Sequence, residues 1–370
     1  MTMTLRKRIL VGLLALVLLA LATLAVALSY ESPCPAPAPP PAGGTPMQAV
    51  VHRCYGTADV LHLETIARPT PKDNEILVKV HAASVNPLDV HSTTGKPYIM
   101  RLSSGLGAPD NPRLGVDFAG TVEAVGTQVT RFNPGDAVFG GRNGALADYL
   151  VVREDRAVVP KPSNLSFEQA AALPIAAVTA LQGLRDHGHL RPGQKVLING
   201  ASGGVGTVAV QIAKAYGAEV TGVCSTRNLD LVRSLGADHV IDYTQENFTE
   251  GGAQYDLILD NVGSHSLLDT RRALKPDGIL VIVSGPKRDP WLGPLARVIQ
   301  AALLAPFVDQ EMTKFLAELT PADLAVLADL AQAGKLTPVI DRRYPLREAA
   351  EAIRYVETGR ARGKVIVEMN

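Results

Sequence analysis

The sequence predicts an α/β protein: a small antiparallel β unit and a doubly wound parallel sheet, preceded by an apolar N-terminal helix. Three observations carry this. A strand, a glycine-rich turn and a helix follow one another without a gap from Val196 to Lys214. Short apolar strands then alternate with helical stretches as far as Ser284, the pattern of a parallel sheet covered on both faces. Between Gln48 and Val159 the chain is instead strand-rich, with turn residues at short intervals.

Taken in order, the chain opens with Arg6-Lys7-Arg8 and an uncharged stretch from Ile9 to Leu28. At 1.5 Å per residue this stretch is about 30 Å long, enough to span a bilayer. Residues 1–30 therefore read as a membrane anchor or a signal segment. The length favours an uncleaved anchor, whereas Ala25-Val26-Ala27 suits cleavage. Residues 31–46, with the run Pro33-Cys34-Pro35-Ala36-Pro37-Ala38-Pro39-Pro40-Pro41, read as a semi-rigid linker. Basic residues ahead of a single span keep the N-terminus cytoplasmic and put the body outside. The side of the membrane stays open: either this rule is broken, or the body works outside with another electron source, or translation starts at Met47 and leaves the anchor out.

Residues 47–170 form the first folded unit, with strands at Glu75–Val80, Gly120–Gly126 and Ala137–Phe139 and a turn at Asn133–Asp136. Ser166 and Gln169 make a capping box that starts helical structure. Residues 171–318 form the second unit, with strands at Val196–Asn199, Glu219–Cys224, His239–Ile241, Tyr255–Asp260 and Gly278–Ser284. A helix from Asn228 to Leu235 is stopped by Gly236. Residues 319–370 hold a helix starting at Thr320 and strand-like Val339-Ile340 and Lys364–Val367, returning to pack on the first unit.

The glycines fall as Gly200-x-x-Gly203-x-x-Gly206 between strand and helix. A helix N-terminus presents unpaired N–H groups and a positive dipole end, which suit a pyrophosphate. Ser202, Gly203, Gly204, Val205 and Gly206 are the phosphate-binding candidates. The end of the second strand then selects the dinucleotide. A carboxylate there would bind the ribose 2′-OH. The chain has Cys224-Ser225-Thr226-Arg227-Asn228 instead. Ser225 and Arg227 offer a hydroxyl and a guanidinium to a 2′-phosphate, which points to NADP(H).

Further runs stand around this turn: Ala83-Ser84-Val85-Asn86-Pro87-Leu88-Asp89, Gly115-Val116-Asp117-Phe118-Ala119-Gly120, Ala172-Leu173-Pro174 with Thr179-Ala180, Leu235-Gly236-Ala237-Asp238, Asp260-Asn261-Val262-Gly263 and Gly359-Arg360-Ala361-Arg362-Gly363-Lys364. In this order they resemble the medium-chain dehydrogenase/reductase superfamily, and more closely its zinc-independent quinone oxidoreductase branch (the zeta-crystallin type). The resemblance covers residues 47 to 370. It implies a GroES-like catalytic domain over residues 47–170 and a Rossmann NADP-binding domain over residues 171–318. It also implies hydride transfer from NADPH to a quinone, enone or aldehyde, and a homodimer. By the same resemblance Asn86 is the catalytic candidate at the active-site floor, Thr179 contacts the nicotinamide, and Tyr243 and Lys364 contact the cofactor. Asp89 caps a helix, and His91 and Tyr98 are loop residues given no role.

A catalytic zinc needs about three Cys, His or carboxylate ligands. Zinc-dependent relatives carry Cys near Asn86–Asp89 and a His-Glu pair at Val116-Asp117, and this chain has neither. Its three cysteines, Cys34, Cys54 and Cys224, lie far apart with no pairing pattern, so neither a structural zinc nor a disulfide framework is expected. Acidic and basic residues balance at 36 each, which gives no reason to propose nucleic acid as a partner. The segment Trp291–Val308 is apolar apart from Arg297 and Gln300; it reads as a lid or dimer-facing helix, or as a surface that touches the membrane. Two other functions stay open: an alcohol dehydrogenase or enoyl-thioester reductase on the same scaffold, and a non-catalytic NADPH-binding protein.

Overall fold

The computed structural model describes residues 4–37, 39–40, 42–252, 254–285 and 289–369. Helix α1 runs over Leu5–Ser29, 25 residues that carry no charge from Ile9 onward. It is long and apolar enough to cross a membrane, a test that a signal sequence also passes. The first unit then contains β1 (Pro46–His52), β2 (Leu61–Ala67), β3 (Glu75–Val85), α2 (Pro87–Thr94), α3 (Arg101–Ser104), β4 (Asp117–Val125), β5 (Ala137–Gly141), β6 (Tyr149–Arg153) and β7 (Val158–Pro160). Linking helices α4 (Phe167–Ala171) and α5 (Pro174–Gln182) lead to β8 (Lys195–Asn199), α6 (Gly204–Ala215), β9 (Glu219–Cys224), α7 (Leu229–Ser234) and β10 (His239–Asp242). The second half continues with β11 (Tyr255–Asp260), α8 (Leu267–Arg272), β12 (Leu274–Ile282), α9 (Pro294–Leu304) and β13 (Glu311–Lys314). The tail holds α10 (Pro321–Gln332), β14 (Ile340–Pro345), α11 (Ala349–Glu357) and β15 (Lys364–Glu368).

Two large sheets result. One is parallel throughout, in the order β10-β9-β8-β11-β12-β13. The other runs β14-β15-β3-β4-β5-β7, with β6 also on β3; β15 pairs antiparallel with β3, so the chain end is built into the first unit. The capping box at α4 is present, with Ser166 Oγ accepting from Gln169 N at 3.2 Å. Buried Leu173, just ahead of α5, and Leu181 of α5 share one core with Ile198 of β8, Val208 of α6 and Leu324 of α10. Packing at that density holds the two sheets in one relation, which sets the width of the crevice between them.

Several local expectations need correction. The helix expected from Asn228 begins as a 3₁₀ turn at Thr226–Asn228 and becomes α-helical only at Leu229, because the Asn228 side chain is engaged elsewhere. The strand expected at Gly278–Ser284 starts earlier, β12 already including Leu274, with an irregularity in its pairing with β11 between Tyr255 and Leu257.

The larger correction is at the linker. Positions 38 and 41 of the proline-rich stretch lie outside the described residues, but its start is not a free spacer. Ser32 N donates to Gly107 O at 2.8 Å, and Cys34 is disulfide-bonded to Cys54 with Cα atoms 5.0 Å apart. The expectation of no disulfide fails because docking brings together two cysteines whose spacing shows no pattern. The fully buried Arg101 guanidinium organises this contact. It donates to Leu28 O and Tyr30 O, each at 3.0 Å, and to Glu31 Oε1 at 2.8 Å. Charge-assisted bonds shielded from water are the strong ones, so the end of α1 is tied to the body.

Candidate active site

The site lies at the carboxyl ends of the parallel strands, where β8 and β11 are neighbours and the strand order reverses. Ligands of open α/β sheets bind at such switch points. Gly200 leaves β8 with φ +80°, a left-handed conformation that favours glycine. A Cβ on Gly206 would sit 2.1 Å from Gly200 O, so this glycine allows α6 to close on the turn. α6 starts at Gly204 without a side-chain cap, and nothing but Gly200 O at 3.5 Å would meet a Cβ on Gly203. Val205 lies partly buried in the first turn. This is an open anion cradle of backbone N–H groups.

The neighbouring strand ends complete that wall. Asn228, buried, donates from Nδ2 to Ser202 Oγ at 3.0 Å and to Ser225 Oγ at 3.2 Å, fixing both hydroxyls. Arg227 is exposed and donates to Arg360 O at 2.8 Å. Tyr243, also exposed, follows β10 with its N–H on Cys224 O. Asp242 is a carboxylate in the same region, but it accepts from Thr226 Oγ1 at 2.6 Å and from Thr244 Oγ1 at 2.8 Å. The Thr226 hydroxyl holds its carboxyl below the ordinary range.

The opposite wall centres on Asp117, fully buried at the start of β4. Its Oδ2 accepts from Ser84 Oγ at 2.9 Å and Asn86 Nδ2 at 3.0 Å, and its Oδ1 accepts from Ile175 N of α5 at 3.0 Å. Lys364 Nζ lies 3.3 Å from Asp117 Oδ2 and donates to Asn86 Oδ1. Lys364 also lies against the glycine turn: a Cβ on Gly204 would be 3.2 Å from its Cδ, and Gly363 N donates to Ser202 O at 3.0 Å. Thr179, on α5, donates its hydroxyl to Ile175 O at 2.7 Å. Asn86 and Asp89 form a capping box on α2, and burial pushes the Asp89 carboxyl up to about 6.

Between these walls, Asp260 closes β11. Its Oδ1 accepts from Asn199 Nδ2 at 2.8 Å and from Gly263 N at 2.9 Å, and its Oδ2 accepts from Arg297 Nη2 of α9 at 2.7 Å. Among the described residues of this region three buried polar atoms have no partner: Asn228 Oδ1 beside Ser202 and Ser225, Asn261 Oδ1 just past the end of β11, and Arg297 Nε. Orphaned buried acceptors call for a ligand or water.

The profile described as alcohol dehydrogenase GroES-like domain matches residues 72–163, and that described as zinc-binding dehydrogenase matches residues 235–367. The 2-methylene-furan-3-one reductase of Solanum lycopersicum is 36% identical over 339 residues, 87% of this chain and 79% of that protein. The NADPH-dependent alkenal/one oxidoreductase of Arabidopsis thaliana chloroplasts is 35% identical over 340 residues, again 87% and 79%. The chain belongs to the medium-chain dehydrogenase/reductase superfamily. Within it the chain falls in the quinone oxidoreductase branch. The solved quinone oxidoreductase of Coxiella burnetii superposes with a TM-score of 0.77 at 32% identity, covering 88% of this chain and 100% of that one.

The protein is thus an NADP-dependent oxidoreductase built from a GroES-like and a Rossmann domain. The dehydrogenase fold gathers the residues singled out from sequence into two groups. Ser202, Gly203, Gly204, Val205, Gly206, Ser225, Arg227 and Tyr243 lie along one wall, while Asn86 and Lys364 share the opposite one with α5, which carries Thr179. Sequence reading missed Asp117, Asn228 and Arg297. Asp117 stood inside a quoted motif, and Arg297 was the one charge in an apolar stretch, which is a signal of burial with a partner.

Proposed function

We propose that this reductase transfers hydride from NADPH to a quinone or to an alkene or carbonyl activated by conjugation. The observation that carries the reading is the pair of buried, unpartnered acceptors, Asn228 Oδ1 beside Ser202 and Ser225, and Asn261 Oδ1 at the end of β11. They mark the two ends of an extended polar ligand. Ser225 and Arg227 then take the 2′-phosphate, the turn Ser202–Gly206 takes the pyrophosphate, and Asn261 accepts from the nicotinamide amide. The names of the relatives, a reductase of a methylene-furanone and an alkenal/one oxidoreductase, support an enone-like acceptor.

NADPH supplies the hydride at C4; the protein supplies position and dryness. Asn86 spends its amide protons on Asp117 and, at 3.3 Å, on Ser84 O, so we read it as a positioning residue that orients Lys364 rather than as a donor to substrate. Thr179 braces the nicotinamide from α5. Solvent returns the proton after hydride arrives, giving a two-electron reduction with one hydride and one proton. The site is read as metal-free because the Asp117 carboxylate is already matched by the Lys364 ammonium and Asp89 is spent on two backbone N–H groups. α1 is read as the membrane anchor, since its apolar window is nowhere buried against the protein and such a surface needs lipid.

The test is NADPH oxidation by the purified chain with naphthoquinone and with an unsaturated ketone. Turnover of either is expected, with Asn86→Ala lowering kcat about a hundredfold while the Kd for NADPH holds. Turnover of thioester enoyl substrates alone, or tight NADPH binding without turnover of any acceptor, would contradict the reading.

A further inference from the structure

Trp291, Leu295, Ile299, Leu303 and Phe307 recur every four residues, and all are exposed, Phe307 by 82%. That spacing drifts slowly around a helix, so the last four form one stripe along α9 and the turn after it, with Trp291 just ahead. Arg297, the single charge between Trp291 and Val308, is buried on the other side against Asp260. The outer face is therefore uncharged and, Gln300 apart, apolar, which marks a contact surface.

Its surroundings say what it contacts. Tyr98 N donates to Pro290 O at 2.7 Å, and the Tyr98 and Trp291 rings meet edge to face at 5.0 Å. A Cβ on Gly293, the residue before α9, would lie 3.0 Å from Pro97. The same Tyr98–Met100 turn touches α1, whose last turn is held by Arg101. The anchor helix and the α9 stripe thus leave one corner of the molecule. Through Arg297 and Asp260, the inner face of α9 reaches the end of β11 in the cofactor crevice.

We propose that the α9 stripe is a second membrane contact, lying in the lipid interface beside the anchor, so that the crevice draws a lipophilic acceptor from the bilayer. This rests on reading α1 as an anchor. A helix with one apolar face and no outward charge binds by sinking that face to the acyl boundary.

Trp291 is the sole tryptophan, so its emission reports the contact directly. The full chain is reconstituted into phosphatidylcholine vesicles with and without brominated acyl chains. Bromination is expected to quench Trp291 by about half or more, and the double variant Leu303→Glu/Phe307→Glu to recover most of that emission while still floating with the vesicles. Nicotinamide fluorescence on NADPH addition checks that the variant is folded. Floating protein with unquenched Trp291, or quenching unchanged in the variant, overturns the proposal and leaves the anchor standing. A smaller sedimenting species for Phe307→Glu would in that case assign the stripe to a second copy of the chain. A chain that does not float overturns the anchor reading and this inference with it.

Discussion

The Lys364 ammonium meets two side chains from different strands, Asn86 Oδ1 and Asp117 Oδ2, while its alkyl stem lies beside Gly204. Lys364 and Asp117 are both buried, so removing one of the two leaves the other's charge without compensation, a change that costs about 3–5 kcal/mol. Asp89 is governed by the same dryness. Its carboxyl titrates near pH 6, above the unfolded value of about 4, so its contribution to stability is full below about pH 4 and fades as pH rises to about 6. Asp89→Asn removes this dependence and leaves Asn86 N–H or Gly115 N–H without its acceptor, at about 1–3 kcal/mol. Urea melts of both proteins across that range check it; parallel curves would contradict the account. Arg227→Asp replaces the proposed 2′-phosphate contact with a ribose acceptor and should shift the KM ratio of NADPH to NADH at least about tenfold toward NADH. An unchanged ratio would remove Arg227 from the site.

The glycine turn and α6 were legible because their signal is local: an apolar strand, glycines at fixed spacing and a helix with no cap. Gly206→Ala should abolish NADPH binding measured by nicotinamide fluorescence, since its Cβ would fall 2.1 Å from Gly200 O on a rigid turn. Binding retained would mean the turn can open. The capping box at α4 and the capping of α2 by Asp89 were equally local. What escaped the sequence is long-range. Asn228 is polar at a helix start, an ordinary cap by pattern, yet it bridges hydroxyls on two strand ends. Asp117 gains its meaning from a lysine 247 positions away. No period or propensity encodes such pairs.

The whole chain is one body with an apolar handle. Arg101 and the Cys34–Cys54 bridge fasten the end of α1 to the GroES-like domain, and α11, which packs on β14 and β15, carries the C-terminal return that delivers Lys364 to the site. A chain beginning at Met47 would lack Cys34 and the Leu28, Tyr30 and Glu31 acceptors of Arg101, so the docked segment belongs to the architecture. The crevice between the domains is proposed to pass hydride from the nicotinamide to a conjugated acceptor. The direct measurement is turnover of an α,β-unsaturated ketone with NADPH deuterated at the transferable C4 position. One deuterium is expected on the β-carbon of the saturated ketone and none on the α-carbon. Saturated product without deuterium, or NADPH bound with no product, would contradict it.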